Sequence, residues 1–302
     1  MTWREYHNFT KHTAEKLRRT QHFLDWANMP DPFRHYEGVP VLDLPADPHS
    51  LEIPALELLA GSCGTGGVVD GSAFLSQLLF HSAAISASKL VPSTGYRYAL
   101  RVNPSSGNLH PTEFHFVTRG LSQWPDGLYH YRPSSHMAEQ RAAGEFSFPL
   151  DGSSAPLTFV LTSIAWREAW KYRDRAYRYC LHDLGHAWAA LDLAARAMGC
   201  ETLAYGCFPD DEIAQACRLN ADEWPMLVVE LRGAIPRGER VGGATIWHGG
   251  EANRLSTEPI VYAPIEELHA ATKFVSPGIV ARASAGSGGF SHRPNPAFEL
   301  SP

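Results

Sequence analysis

The sequence predicts an α+β domain, a β-sheet covered by helices on both faces with one long helix at its centre. Three observations carry this expectation. Alternating, β-rich segments recur at Tyr98–Val102, Glu113–Thr118, Leu128–Tyr131, Leu157–Thr162 and Met226–Leu231. Between the last two lies a helical segment, Arg173–Met198, in which Cys180, Leu184, Ala187, Leu191, Ala194 and Met198 repeat at spacings of four and three. Tyr179, His186, Ala190, Leu193 and Ala197 form a second stripe opposite, so this helix is expected between layers or at a subunit interface. Finally, 44% hydrophobic and 19% charged residues give the 302-residue chain enough apolar surface for a sizeable core.

The remaining elements follow in chain order. A helix is expected from Tyr6 to Trp26, ending before Pro30. The stretch Asn28–Pro54 is rich in proline, which fixes φ and lacks a backbone donor, and reads as an extended surface arm. A glycine-rich break at Gly61–Gly67 opens into a helix expected over Gly71–Lys89, with Asp70 or Ser72 as its N-cap. Beyond Ile235 the rhythm is lost, and glycine, proline, arginine and serine dominate. The implied organisation is an N-terminal helix and arm (1–54), a core domain (55–235), and a linker with a flexible tail (236–302).

The formal charge of −6 argues against nucleic-acid and anionic-membrane partners, which require a basic field. Five cysteines without a CxxC pair suit reduced thiols in a cytoplasmic protein. The polar start lacks the apolar core of a signal peptide, and no stretch is apolar enough to span a bilayer.

Four features could carry chemistry. The sharpest is Arg101–Pro111, RVNPSSGNLHP, set between two expected strands. Pro104 and Gly107 make a tight turn, while Ser105, Ser106 and Asn108 supply short polar groups that can lie against a planar heterocycle. An ordinary turn has the same composition. The second is His182-Asp183-Leu184-Gly185-His186, whose histidines share a helix face at i and i+4, one methylene away from the zinc-protease pattern HExxH. A metal-dependent hydrolase is therefore an alternative of a different class. Third, Arg167, Lys171, Arg173, Arg175 and Arg178 interleave with aromatic residues, as a solvated helix start, an interface rim or a phosphate contact across a dimer. Fourth, Cys63 in the glycine break is the one thiol expected to react; Cys180 sits on the apolar stripe.

The run Arg101–Pro111 followed by Glu113 resembles the flavin-loop signature of the nitroreductase superfamily. GLYHYRPSSH at Gly127–His136 and the long segment Tyr172–Gly199 resemble its azole-forming peptide dehydrogenase subgroup. The segment LTSIAWREAWKYRDRAYRY, with YHNFTKHT, DWANMPDPFRHY and WHGGEANRLS, is similar to the N-terminal half of bacterial proteins in which two such domains are fused. The resemblance implies a mixed, mainly antiparallel sheet and an FMN-dependent oxidoreductase. Hydride would pass through flavin N5 from a donor such as NAD(P)H to a small-molecule or peptide acceptor. Pro104, Ser105, Ser106 and Asn108 would meet the flavin ring and ribityl chain, and Tyr205 and Gly206 would approach N5. The partner would be a second copy, as a homodimer, or a second nitroreductase-like domain.

One departure stands out. The family's arginine-rich grip on the FMN phosphate has no counterpart here, because no Lys or Arg occurs from Leu51 through Ser88. Either Arg97 or Arg101 serves the phosphate, or the chain is a degenerate, non-catalytic half whose partner carries the working site.

Overall fold

A computed structural model describes residues 1–19, 23–48, 50–146, 148, 155–240 and 242–274, and the backbone of 282–284. The rest of the expected C-terminal tail lies outside the described residues. The first helix, α1 (Trp3–Thr10), opens with a capping box in which Thr2 and Glu5 each bond the other's backbone N–H. The single helix expected over Tyr6–Trp26 is broken. Lys11 turns to an extended conformation, Thr13 accepts from Lys16 N to start α2 (Ala14–Arg19), and Trp26–Asn28 is a short 3-10 turn. Prolines then hold an extended arm containing β1 (Tyr36–Glu37) and β2 (Val41–Asp43).

After α3 (Ala55–Leu59), Asp70 caps α4 (Gly71–Phe80) by accepting from Ala73 N. This helix is shorter than the expected Gly71–Lys89. Residues 85–101 form a hairpin instead, β3 (Ile85–Leu90) with β4 (Arg97–Arg101). The main sheet comprises β5 (Thr112–Thr118), β6 (Gly127–Arg132), β7 (Met137–Ala143) and β8 (Leu157–Ser163). Two helices follow, α5 (Ala165–Tyr172) and the 22-residue α6 (Ala176–Ala197), joined by a 3-10 turn at Arg173–Arg175. The chain continues through β9 (Cys200–Tyr205), α7 (Asp210–Cys217) and β10 (Trp224–Gly233). Residues expected to be a linker contain β11 (Ile246–Trp247), β12 (Glu251–Ala252), α8 (Ala263–Thr272) and β13 (Arg282–Ser284).

Among the described residues the main sheet runs β11-β7-β6-β5-β8-β10-β9-β13, with β2 also on β7, and every ladder in it is antiparallel. The period of two in each strand sends side chains alternately to two cores. Phe114, Phe116, Phe159, Leu161 and Leu231 face α4 and α6, whereas Val117, Val160 and Val228 face α7. Helices thus cover both faces, as expected. The first stripe of α6, Cys180 through Met198, is buried throughout. Its opposite side is open in a single chain: Leu181 is 46% exposed, and His182, Gly185 and His186 are exposed. Among the described residues no helix is long and apolar enough to cross a membrane.

One part of the α7 face is charged rather than apolar. Glu113 and His115 of β5, His130 of β6, Glu139 of β7 and Thr162 of β8 all point inward there and are fully buried. His130 donates from Nδ1 to Glu139 (2.9 Å) and sits 3.3 Å from Glu113 through Nε2, so both ring nitrogens face carboxylates. Glu113 also pairs with Arg167 of α5, and His115 Nε2 lies 2.7 Å from Glu223. The arm closes over this cluster: Tyr36 N donates to Glu139, and Arg34 Nε lies 3.5 Å from Glu223. Buried ions tolerate desolvation only when paired in this way.

Burial alone would raise Glu113, but Arg167 and the His130 hydrogen bond outweigh it and hold the carboxyl at about 2, below its usual 4.5. Burial would lower His130, yet the hydrogen bonds to Glu113 and Glu139 raise it above 6.5. The stability that Glu113 adds is present above pH 4.5 and lost as pH falls toward 2; that from His130 is present below 6.5 and lost as pH rises through its raised value. Arm docking is therefore predicted to be tightest between these limbs. Proteolysis within Asp31–Glu37 should accelerate on both sides, and Glu113→Gln should flatten the acid limb, worth on the order of 3 kcal/mol in the native chain.

Candidate functional site

The Arg101–Pro111 loop leaves β4 and enters β5 through a bend that places three residues in the left-handed region, Gly107 (φ 63), Asn108 (φ 61) and His110 (φ 50). At Gly107 a side chain would meet Lys171 Nζ and Tyr172 Oη at 2.9 Å, so α5 approaches the loop against bare backbone. Asn108 Nδ2 donates to Ala99 O (2.9 Å), and its Oδ1 lies 3.0 Å from His110 Nε2. His110 N donates to Ser105 Oγ (2.8 Å).

The loop is anchored from behind by Asp183 of α6. Ser105 Oγ donates to Oδ2 (2.7 Å), Ser106 Oγ to Oδ1 (2.8 Å), and Ser106 N to both oxygens at 3.0 and 2.9 Å. Asp183 is buried, and these three neutral donors take the place of water around its charge. Its role also divides the HDLGH pattern. Asp183 turns to the loop while His182 and His186 lie on the open side of α6, and among the described residues no group of three or more His, Cys, Asp or Glu could hold a metal ion. Asp183 was visible in the sequence only as part of that pattern. Its i+3 to i+8 neighbours gave no sign of the loop contact, which is made across 77 residues.

The other expected site residues are placed as follows. Pro104 is exposed, and Ser105, Ser106 and Asn108 are half-buried at the surface. Arg101 is buried: it donates to Pro32 O (2.5 Å), lies over the Phe33 ring, and burial lowers it to about 10. Its guanidinium is therefore turned into the arm. Tyr205 is a core side chain whose hydroxyl donates to Glu230 (3.0 Å), whereas Gly206 is exposed. The loop and Gly206 lie at the same end of the sheet, since β5 and β9 run in opposite directions. Two strands separate β5 from β9, a distance of about 14 Å at the usual strand spacing. Arg175 and Arg178 are engaged with α1, donating to Thr10 and His7. All five cysteines are free, with Cys63 exposed and Cys180 buried.

FMN can be tested against these residues in two parts. The exposed edge of the loop is backbone and small side chains held in one shape, a surface against which a flat ring could lie. The place of the phosphate does not fit. Gly64 N donates to Arg196 O, so this part of the glycine run caps the carbonyl end of α6. A Cβ at Gly64 would sit 1.9 Å from Ala197 O, which explains the glycine there. The start of α4 carries a carboxylate, Asp70, and the adjoining cleft of about 570 Å³ is lined by Glu52, Glu57 and the end of α6, with no cation. Among the described residues this cleft therefore offers a phosphate no cationic partner.

The loop geometry gives a stability test. Removing Asp183 strands three donors beside the core, so Asp183→Ala should cost roughly 1–3 kcal/mol in denaturant unfolding, more than Ser106→Ala, which removes one donor and leaves Asp183 with the Ser105 hydroxyl and the Ser106 N–H.

Comparison with known proteins agrees with this architecture. The nitroreductase family model matches residues 82–233, just over half of the chain. A curated nitroreductase-like protein of Methanocaldococcus jannaschii is 26% identical over 136 residues, covering 42% of this chain and 68% of that protein. Among solved structures, a nitroreductase-like protein of Anabaena variabilis superposes with a TM-score of 0.67 at 24% identity, over 90% of this chain and 54% of that one. One from Ralstonia eutropha gives a TM-score of 0.52 at 18% identity, over 71% and 96%. The chain thus spans about half the length of the Anabaena protein and shares the fold of both. With its loop, its sheet and the family match in agreement, the chain belongs to the nitroreductase family.

Proposed function

We propose that this chain is a flavin-dependent oxidoreductase domain that presents the Pro104–Asn108 loop to the ring of an FMN whose phosphate is held by a second nitroreductase-like domain. The observation that carries this reading is the contrast between a loop fixed by Asp183 at the surface and a phosphate place without cations. Three further points support it. The open side of α6 leaves Leu181 exposed beside the loop's anchor. The loop and Gly206 are too far apart for one small group to hydrogen-bond both within a single chain. The match to only 54% of the Anabaena protein leaves room for another domain in such an assembly. A second copy of this chain would bring the same lack of cations, so a non-identical domain is the better partner.

In this family the flavin supplies two-electron transfer, here taken as hydride through N5 from NAD(P)H to a small-molecule or peptide acceptor. The chain's own part is to hold the ring's edge against rigid backbone. Binding of riboflavin and FMN to the isolated chain, followed by quenching of flavin fluorescence, tests the division of labour. Both are expected to bind weakly and within about twofold of each other, because the phosphate gains nothing here. A preference for FMN of about tenfold or more, roughly 1.4 kcal/mol, would place a phosphate grip in this chain and contradict the reading. Binding of neither, even at millimolar flavin, would favour a non-catalytic dimerisation module.

A further inference from the structure

Two buried guanidinium groups meet the N-terminal arm at the foot of the loop. Arg101 donates from Nη2 to Pro32 O (2.5 Å) and Arg167 from Nε to Asp31 O (2.9 Å), so two adjacent arm carbonyls take one arginine each. Arg167 also donates to His110 O (2.8 Å) in the loop and to Glu113. Arg101 is 5% exposed and Arg167 0%. Even so, Arg101 Nε and Nη1 and Arg167 Nη2 have no acceptor. Buried donors in that state are costly, the more so on a cation. The charges are also out of balance. Among the described residues Glu113 pairs with Arg167 and His130, and no carboxylate pairs with Arg101. His110 adds no compensation: burial, and then Arg101, push its ring down to about 2, so it is neutral. Burial lowers Arg101 only to about 10, which leaves it charged at neutral pH. Its charge is met by one carbonyl and by the Phe33 ring, 5.3 Å away. The cover is thin, since Pro32 and Phe33 are half-buried and Asp31 is exposed.

We propose that Arg101 and Arg167 form an oxyanion site for the carboxylate or phosphate of a small molecule, and that the Asp31–Phe33 segment is its resting occupant. A guanidinium fork matches the oxygens of either anion. The arm's carbonyls carry only partial charge, whereas an oxyanion brings a full charge to Arg101 and acceptors to the unpartnered N–H groups. When Asp31–Phe33 moves aside, the Asp31 carboxylate leaves with it and the site becomes more positive. The rest of the arm stays anchored, through Arg34 on Asn253 O and Asp222 and through Tyr36 N on Glu139, so only a short segment has to move. The inference does not rest on the flavin reading, since it concerns only these two arginines and the arm.

Calorimetric titration of the chain with sodium phosphate and with sodium acetate tests the site, at neutral pH and at ionic strength held constant with sodium chloride. At least one of the two anions should bind. Phe33→Ala, which thins the cover and removes the ring from Arg101, should tighten that binding by about threefold or more, the worth of one cation–π contact. Arg101→Gln should abolish it, and Arg101→Lys, which keeps the charge without the fork, should retain a weaker form. The tighter of the two probes names the ligand as a phosphate or a carboxylate. The arm's part is read by limited proteolysis: the bound anion should speed cleavage within Asp31–Glu37 by about threefold or more, and Arg101→Gln should not respond to it. Neither anion binding to Phe33→Ala at up to about 50 mM would overturn the site, whether or not Arg101→Gln folds. Equal binding by a folded Arg101→Gln would do the same, and cleavage unmoved by a bound anion would overturn the arm as its occupant. Because neither probe contains a flavin, all of these outcomes leave the riboflavin and FMN comparison to judge the function proposed above.

Discussion

The structure depends on one buried charge, the Asp183 carboxylate, set between the long helix and the loop. It has no arginine or lysine partner. Two hydroxyls and a backbone N–H solvate it instead, and each of them belongs to the loop. Because an unsolvated carboxylate is very costly inside a protein, the loop cannot move away without exposing that cost. The same bonds hold Gly107, Asn108 and His110 in left-handed conformations that non-glycine residues adopt only under constraint. Rigid backbone at a surface is a means of presenting a recognition edge without closing a pocket over it.

A second set of buried charges does different work on the opposite face of the sheet. His130 between two carboxylates, and Arg34 and Arg167 from the arm side and α5, bind the N-terminal arm to the strands. This fixes the arm's position, and the arm in turn covers Arg101 through Pro32 and Phe33. The basic residue that flanks the loop is thereby withdrawn from ligand contact. With Gly64 packed on the end of α6, the cleft beside the glycine run is lined by no Lys or Arg among the described residues.

Much of this was legible from residue order. The strands at Glu113–Thr118 and Leu157–Thr162 and the α6 stripe were readable because period and burial coincide there. The loop was identified by its own residues. Of the hairpin, Tyr98–Val102 was legible as a strand, but its partner Ile85–Leu90 was hidden because alanine and serine tolerate a helix, although Pro92–Gly95 marks the turn. The charged sheet face was hidden for a different reason: Glu113 and His115 look like an outward strand face until the arm that covers them is placed. Asp183 was hidden most completely, since its meaning lies in contacts across the fold and helix periodicity assigns it no partner.

The central claim is that Asp183 holds the loop in its binding shape. Amide hydrogen exchange at Ser106 measures this most directly, because that N–H donates to the carboxylate alone. Under native conditions the amide should be protected, and Asp183→Asn should accelerate its exchange by about tenfold or more, while amides along β5 keep their rates. An unchanged Ser106 rate in Asp183→Asn would show that the loop holds its shape without the carboxylate and would contradict the account.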